Sequence, residues 1–155
     1  MNNLKWDKTF LRVAKELGDM SHCVSRQVGA IAVLDGRILS SGINGTPKGE
    51  LNCDEKFEKG GFGHLWDVGQ HRAWSDIHEI HAEMNLIMFA AKHGTSLDNS
   101  TLYSTLQPCL QCCKNIMQVG VKRIVFAEYY DRVVDNQDLI KRLTDFGVQY
   151  DFVQI

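Results

Sequence analysis

The chain has 155 residues, 44% of them hydrophobic and 23% charged, the balance of one soluble globular domain long enough to bury a single core. That composition excludes whole-chain disorder, and no stretch approaches the ~20 apolar residues of a membrane-spanning helix. Lysine plus arginine number 17 against 19 acidic residues, a formal charge of -2, which is no footprint for a long nucleic acid but allows one small phosphate ester to be held by one or two local cations.

The opening segment, Leu4 to Leu17, repeats apolar residues (Leu4, Phe10, Leu11, Val13, Ala14, Leu17) at helical spacing, and Gly18 stops it. Val28 to Leu34 reads as a strand, Asp35-Gly36 as a hairpin turn and Arg37 to Ile43 as the returning strand. Residues 44–78 form a glycine-rich, mixed polar and aromatic insert that is expected to be irregular, and a loop of that length is unusual unless it is functional or tied down. Ile80 to His93 is an amphipathic helix ended by Gly94, and Thr101 to Leu106 is a strand. Pro108 opens a helix running to about Val119. Lys122 to Glu128 is a strand, Asn136 to Phe146 a helix and Val148 to Val153 a last strand. Alternating strands and helices after an antiparallel hairpin predict an α/β fold, a mixed sheet of about five strands with helices on its faces, in one domain over 1–155.

The N-terminus, MNNLKWDKTF, lacks the basic start and apolar run of a secretory signal, so a cytoplasmic protein is expected. In a reducing compartment the five cysteines (Cys23, Cys53, Cys109, Cys112 and Cys113) point to metal or catalysis more than to disulfides.

Two short segments carry the chemistry. His81-Ala82-Glu83 lies near one predicted helix start, and Pro108-Cys109-Leu110-Gln111-Cys112 lies at another. One imidazole and two thiolates are the three protein ligands of a catalytic zinc site with an open fourth position for water. Cys109 and Cys112 converge on one side of a first helical turn, where the positive end of the helix dipole favours thiolate. Cys113 points about 100° away. Glu83, two residues from His81, turns off the same vertex and suits proton transfer rather than ligation. H-x-E followed by P-C-x-x-C is the arrangement of zinc deaminases that act on nucleobases.

With these residues, and with SRQVGAIAV (25–33), SGINGTPKG (41–49), EIHAEMNLIMFAAKHG (79–94) and TLYSTLQPCLQCCKNIMQVGVKRIVF (101–126), the chain resembles the cytidine/deoxycytidylate deaminase superfamily, and within it the phage-type deoxycytidylate (dCMP) deaminases. Where that family has GYNGxP, this chain has Ile43 for the tyrosine. The resemblance implies a three-layer α/β/α fold and hydrolysis of dCMP to dUMP and ammonia, supplying dUMP for thymidylate synthesis. It implies attack of zinc-activated water on C4 of cytosine, with Glu83 moving the protons. It implies Asn44 at the deoxyribose, Arg26 as the phosphate cation and Tyr130 beside it; the plain alternatives are an exposed arginine and a surface tyrosine.

The same resemblance implies a second, structural zinc on Cys23, Cys53, His71 and Glu79, which would tie the insert to the body. His64 or His78 could stand in for His71, and buried free cysteines are the alternative. It further implies a homohexamer activated by dCTP with magnesium and inhibited by dTTP, the activator binding at the Gly42–Gly45 turn and Phe89 and Lys92 serving subunit contacts; otherwise Phe89 is core. His22 and His93 read as surface residues, and Trp6, Trp66 and Trp74 as packing anchors. The rival functions are another zinc deaminase, acting on a nucleoside, a nucleotide or a tRNA base, or a catalytically silent zinc-binding scaffold.

Overall fold

A computed structural model describes residues 4–57, 68–133 and 137–155. Helix α1 (Leu4–Gly18) precedes the hairpin β1 (Gly29–Leu34) and β2 (Arg37–Ile43). Two helices follow, α2 (Cys53–Phe57) and α3 (Val68–His78), and then α4 (Ala82–Lys92). The remainder alternates: β3 (Thr101–Leu106), α5 (Leu110–Gln118), β4 (Arg123–Glu128), α6 (Gln137–Asp145) and β5 (Gln149–Phe152). The five strands form one mixed sheet in the order β2-β1-β3-β4-β5. The β1 strand is antiparallel to both β2 and β3, whereas β3, β4 and β5 run parallel.

The hairpin turns where the sequence places it. Asp35 and Gly36 both have positive φ, 50° and 75°, as a two-residue turn matched to the strand twist requires. Alternation along β1 then divides the core. Ile31 and Val33 face α1, packing with Phe10, Leu11 and Ala14. Ala30 and Ala32 face the opposite side with Leu86 and Ala90 of α4, Ile116 of α5 and Leu139 and Leu143 of α6. The result is three layers, with α1 on one face and α4, α5 and α6 on the other. Small alanines on β1 let α4 lie close to the sheet, and β2 makes the same allowance. A Cβ at Gly42 would collide with the carbonyl of Ala82 and the amide of Leu86. Ser40 adds a hydrogen bond from its hydroxyl to the Leu86 carbonyl, 2.9 Å.

Three differences from expectation bear on the site. The α4 helix begins at Ala82 rather than Ile80, because Ile80 and Gly45 exchange backbone hydrogen bonds of 2.8 and 3.1 Å in an isolated bridge. The α5 helix begins at Leu110, so Pro108 lies outside it and Cys109 is the N-cap. The insert 44–78 is not simply irregular: α2 and α3 fall within it. His64 and Trp66 lie outside the described residues.

Candidate active site and a second metal cluster

His81 and Cys109 occupy equivalent positions, each the extended N-cap of a helix with no side-chain cap of its own (φ -64°, ψ 151° and φ -70°, ψ 167°). Their side chains are therefore free to turn away from their helices and meet. His81 Nδ1 lies 3.5 Å from Cys109 Sγ and 3.5 Å from Cys112 Sγ, and the three donor atoms all lie within 4.8 Å of one another. Tetrahedral zinc with Zn–S of ~2.3 Å and Zn–N of ~2.05 Å places N and S about 3.6 Å apart, so this donor set fits the ion in both chemistry and spacing. The two helix N-termini also direct partial positive charge at the thiols. A hydrogen bond from Cys112, together with the neighbouring His81, pulls Cys109 down to about 4 against the opposing effect of burial, and Cys112 is correspondingly raised.

Glu83, in the first turn of α4, is buried at 4% exposure. Burial raises its carboxyl above the ordinary value, as suits a group that must hold a proton as well as release one. The Ser104 hydroxyl on β3 donates to Glu83 Oε1 at 3.4 Å.

His81, Glu83 and Cys109 line a cavity of about 220 Å³ that also presents Asn44, Arg26 and Tyr130. Asn44 is largely occupied with the backbone: its Nδ2 donates to the Arg26 carbonyl (2.8 Å), and its Oδ1 accepts from the Val28 amide (2.9 Å). Arg26 is half-exposed and pairs with Asp131 at 3.2 Å. Its guanidinium carbon stands 5.4 Å from the Tyr130 ring centre, and that of Arg132 stands 5.6 Å from the same ring. Arg132, Gln107 and, from α3, Arg72 and Asp76 line the cavity as well. Sequence reasoning missed all four, along with Ser104, because none belongs to a motif and each arrives through the register of the sheet or the packing of α3.

The second set also converges. Cys23 Sγ is 3.5 Å from His71 Nε2 and 3.4 Å from Glu79 Oε2, and His71 Nε2 is 4.0 Å from that carboxylate oxygen. Cys53 completes a cluster whose donors lie within 4.8 Å of one another. Burial pushes the Cys53 thiol up to about 12. Glu79 Oε1 is buried with no hydrogen-bond partner, a vacant acceptor that a cation would satisfy. Two cysteines, a histidine and a carboxylate are a closed tetrahedral donor set for zinc. Among the alternatives to His71, His78 is directed elsewhere, towards Glu50 at 3.5 Å.

Other expected positions are more ordinary. Gly42 is a close-packing position against α4, and Gly45 belongs to the bridge with Ile80. Phe89 is 54% exposed and stacks on His93 at 4.1 Å, so it is not core; Lys92 is exposed beside it. His22 is exposed and bonded to Asp54. Trp6 is half-exposed and stacks on Phe10, whereas Trp74 packs between Phe57 and His78.

Residues 4–128 match the family model for the cytidine and deoxycytidylate deaminase zinc-binding region. The deoxycytidylate deaminase of Enterobacteria phage T2 is 36% identical over 86% of this chain and 86% of its own. That of Enterobacteria phage T4 is 37% identical over 86% and 83%. The crystal structure of dCMP deaminase from the cyanophage S-TIM5, in complex with dCMP and dUMP, superposes with a TM-score of 0.75 at 33% identity over 98% of each chain. The paired helix N-termini with their zinc-type donors thus sit inside a sequence match that runs through both, and the chain belongs to the cytidine and deoxycytidylate deaminase family.

Proposed function

We propose that this protein is a zinc-dependent deaminase converting dCMP and water to dUMP and ammonia, in one domain over 1–155. The observation that carries the reading is the meeting of His81, Cys109 and Cys112 beside a buried Glu83, in a cavity shared with three arginines. The phage relatives named deoxycytidylate deaminase support the choice of substrate.

A zinc ion held by His81, Cys109 and Cys112 would supply Lewis-acid activation of the attacking water, with two thiolates offsetting the metal charge. Glu83 takes a proton from the attacking water and delivers it to N3 of cytosine as the C4–O bond forms. Glu83 then passes the water's second proton to the amino nitrogen, the C4–N bond breaks and ammonia leaves. Burial raises the Glu83 carboxyl above its ordinary value, the direction that favours its carrying the proton between these transfers. Ser104 fixes the carboxylate by its bond to Oε1. Asn44 holds the backbone of Arg26 and Val28 at the deoxyribose side, and Arg26, with Tyr130 beside it, receives the phosphate. For that, Arg26 exchanges its exposed pairing with Asp131 for a bidentate contact.

A second, structural zinc on Cys23, Cys53, His71 and Glu79 belongs to this reading, supported by the orphaned Glu79 oxygen. So do a homohexamer, with exposed Phe89 and Lys92 at subunit contacts, activation by dCTP with magnesium at the Gly42–Gly45 turn, and inhibition by dTTP. Five free cysteines agree with a cytoplasmic setting, and no helix among the described residues is long and apolar enough to cross a membrane.

The test is the change of ultraviolet absorbance on incubation with dCMP, cytidine, dCTP and deoxyadenosine in parallel, with metal content measured on the same sample. Turnover of dCMP well above the other three supports the reading, and equal or absent turnover overturns it. Repeating the dCMP assay with dCTP and magnesium, and measuring mass in solution, checks the regulation and the hexamer.

A further inference from the structure

Gln107 is the last residue before Pro108 and Cys109, and at 3% exposure its amide is almost entirely buried. Its side-chain Oε1 accepts the backbone N–H of Tyr130 at 3.0 Å. Its own N–H donates to the Glu128 carbonyl at 2.8 Å, extending the β3–β4 pairing one residue past Leu106 and Glu128. One residue thus holds the turn that carries Cys109 to the turn that follows β4. That second turn is closed by the Val133 amide donating to the Tyr130 carbonyl at 2.8 Å, and it presents Tyr130 between the guanidinium groups of Arg26 and Arg132. Gln107, Tyr130 and both arginines border the same cavity as His81 and Glu83.

We propose that Gln107 is a positioning residue that fixes the Tyr130–Arg132 turn at a set distance from the metal turn, and thereby gives the site its preference for a phosphorylated over an unphosphorylated nucleoside. The proposal rests on the dCMP reading above. Removing the acceptor leaves the part-buried N–H of Tyr130 without its partner, and a turn with an unpaired amide relaxes towards one that is satisfied. The cations move with it. His81 and Glu83 are set by the start of α4, and Cys109 and Cys112 by the start of α5, and neither helix start takes part in that hydrogen bond, so the loss falls on the phosphate end. Displacement of about 1 Å at a charged contact is enough to lose it.

The experiment compares Gln107→Met, which keeps the volume and lacks the acceptor, with Gln107→Glu, which keeps an oxygen facing the Tyr130 amide. Each is assayed with dCMP and with deoxycytidine, with zinc content and thermal unfolding as controls. The expected result is a fall of about tenfold in kcat/KM for dCMP in the Met variant, carried by KM and several times larger than the fall for deoxycytidine, with zinc retained. The Glu variant restores most of the ratio between the two substrates. Equal losses on both substrates, a loss carried by kcat, loss of zinc or no loss at all would each overturn the assignment. A wild-type enzyme that treats dCMP and deoxycytidine alike overturns the dCMP reading before any variant is made, and the role of Gln107 with it.

Discussion

At the residue scale, the site depends on two helix starts that leave their N-cap side chains uncommitted. His81 and Cys109 cap nothing with their side chains, while their carbonyls accept the first helical bonds from Asn85 and Cys113, both 2.9 Å. Glu83 sits two residues into the first of these helices, so its carboxylate lies beside the metal donors without joining them. Replacing Glu83 with glutamine keeps the shape and the bond from Ser104 but removes the transferable proton. The expected outcome is a kcat lower by roughly 10²–10⁴-fold with zinc content unchanged, measured by turnover and metal analysis on one sample; loss of zinc along with activity would instead make Glu83 a support of the metal. These residues were legible in the sequence because the chain places them at short, fixed spacings: two residues from His81 to Glu83, three from Cys109 to Cys112. Ser104, Gln107 and Arg132 were not, since a serine, a glutamine and an arginine acquire their roles only when β3 and β4 pair in this register.

At the element scale, strands and most helices follow the sequence pattern because their apolar periodicity matches the faces they bury. The misplaced boundaries come from contacts that periodicity does not encode, such as the Gly45–Ile80 bridge that delays α4 by two residues. The α3 helix was hidden for a related reason. Of its residues only His71 is buried, so it has no apolar stripe and is held by the side chains of the second cluster. Gly42 marks another such contact. Gly42→Ala forces β2 away from the first turn of α4, and overpacking of this kind costs about 1–3 kcal/mol; a melting temperature equal to that of the wild type would show that the helix yields freely. On the opposite face, α1 is fastened to the sheet by a buried ion pair. Arg123 donates two bonds to Asp7 (2.8 and 2.9 Å) and one to Asp151 (2.7 Å), and the Tyr103 hydroxyl adds another to Asp7 at 2.8 Å. Burial alone would raise the Asp7 carboxyl, but the bonds from Arg123 and Tyr103 and the guanidinium charge outweigh it and hold it below 3.8. A carboxyl depressed on folding contributes stability that is fully present above the unfolded value and is lost as pH falls through the folded one. Arg123→Ala strands Asp7 in the core and is expected to cost about 3–5 kcal/mol at neutral pH. Unfolding measured from pH 7 down to pH 2 should show the gap between wild type and variant narrowing as pH falls, first as the stranded Asp7 of the variant takes up a proton above the ordinary carboxyl value and then as the paired Asp7 of the wild type does so below it; a constant gap would mean that Asp7 does not titrate with folding.

At the scale of the whole molecule, the two clusters divide the protein into a part that folds by burial and a part held by side-chain donors. The sheet with α1, α4 and α5 has two continuous apolar cores. By contrast α2 and α3 each bury a single residue, Cys53 and His71, and both of these belong to the second cluster. That cluster draws Cys23 from before β1, Cys53 and His71 from the insert, and Glu79 from the approach to α4, so an ion there would cross-link segments far apart in the chain. Arg72 and Asp76 of α3 line the cavity that also presents His81 and Glu83, which makes the position of one cavity wall dependent on the same donors. Metal bound only by the native state stabilises it by about 4 kcal/mol at a thousandfold excess over Kd, and for a chain of this size that is roughly ten degrees in Tm. Stripping metal with a strong chelator should therefore lower Tm by about that much. Amide exchange should quicken in α2 and α3 while β1, β3 and β4 stay protected. Cys53→Ser separates the two sites: it should reproduce the exchange pattern of α2 and α3 while His81, Cys109 and Cys112 keep their zinc, raising KM for dCMP more than it lowers kcat. If exchange in α2 and α3 is the same with and without metal, the insert is held by packing alone and the second cluster is a group of buried thiols.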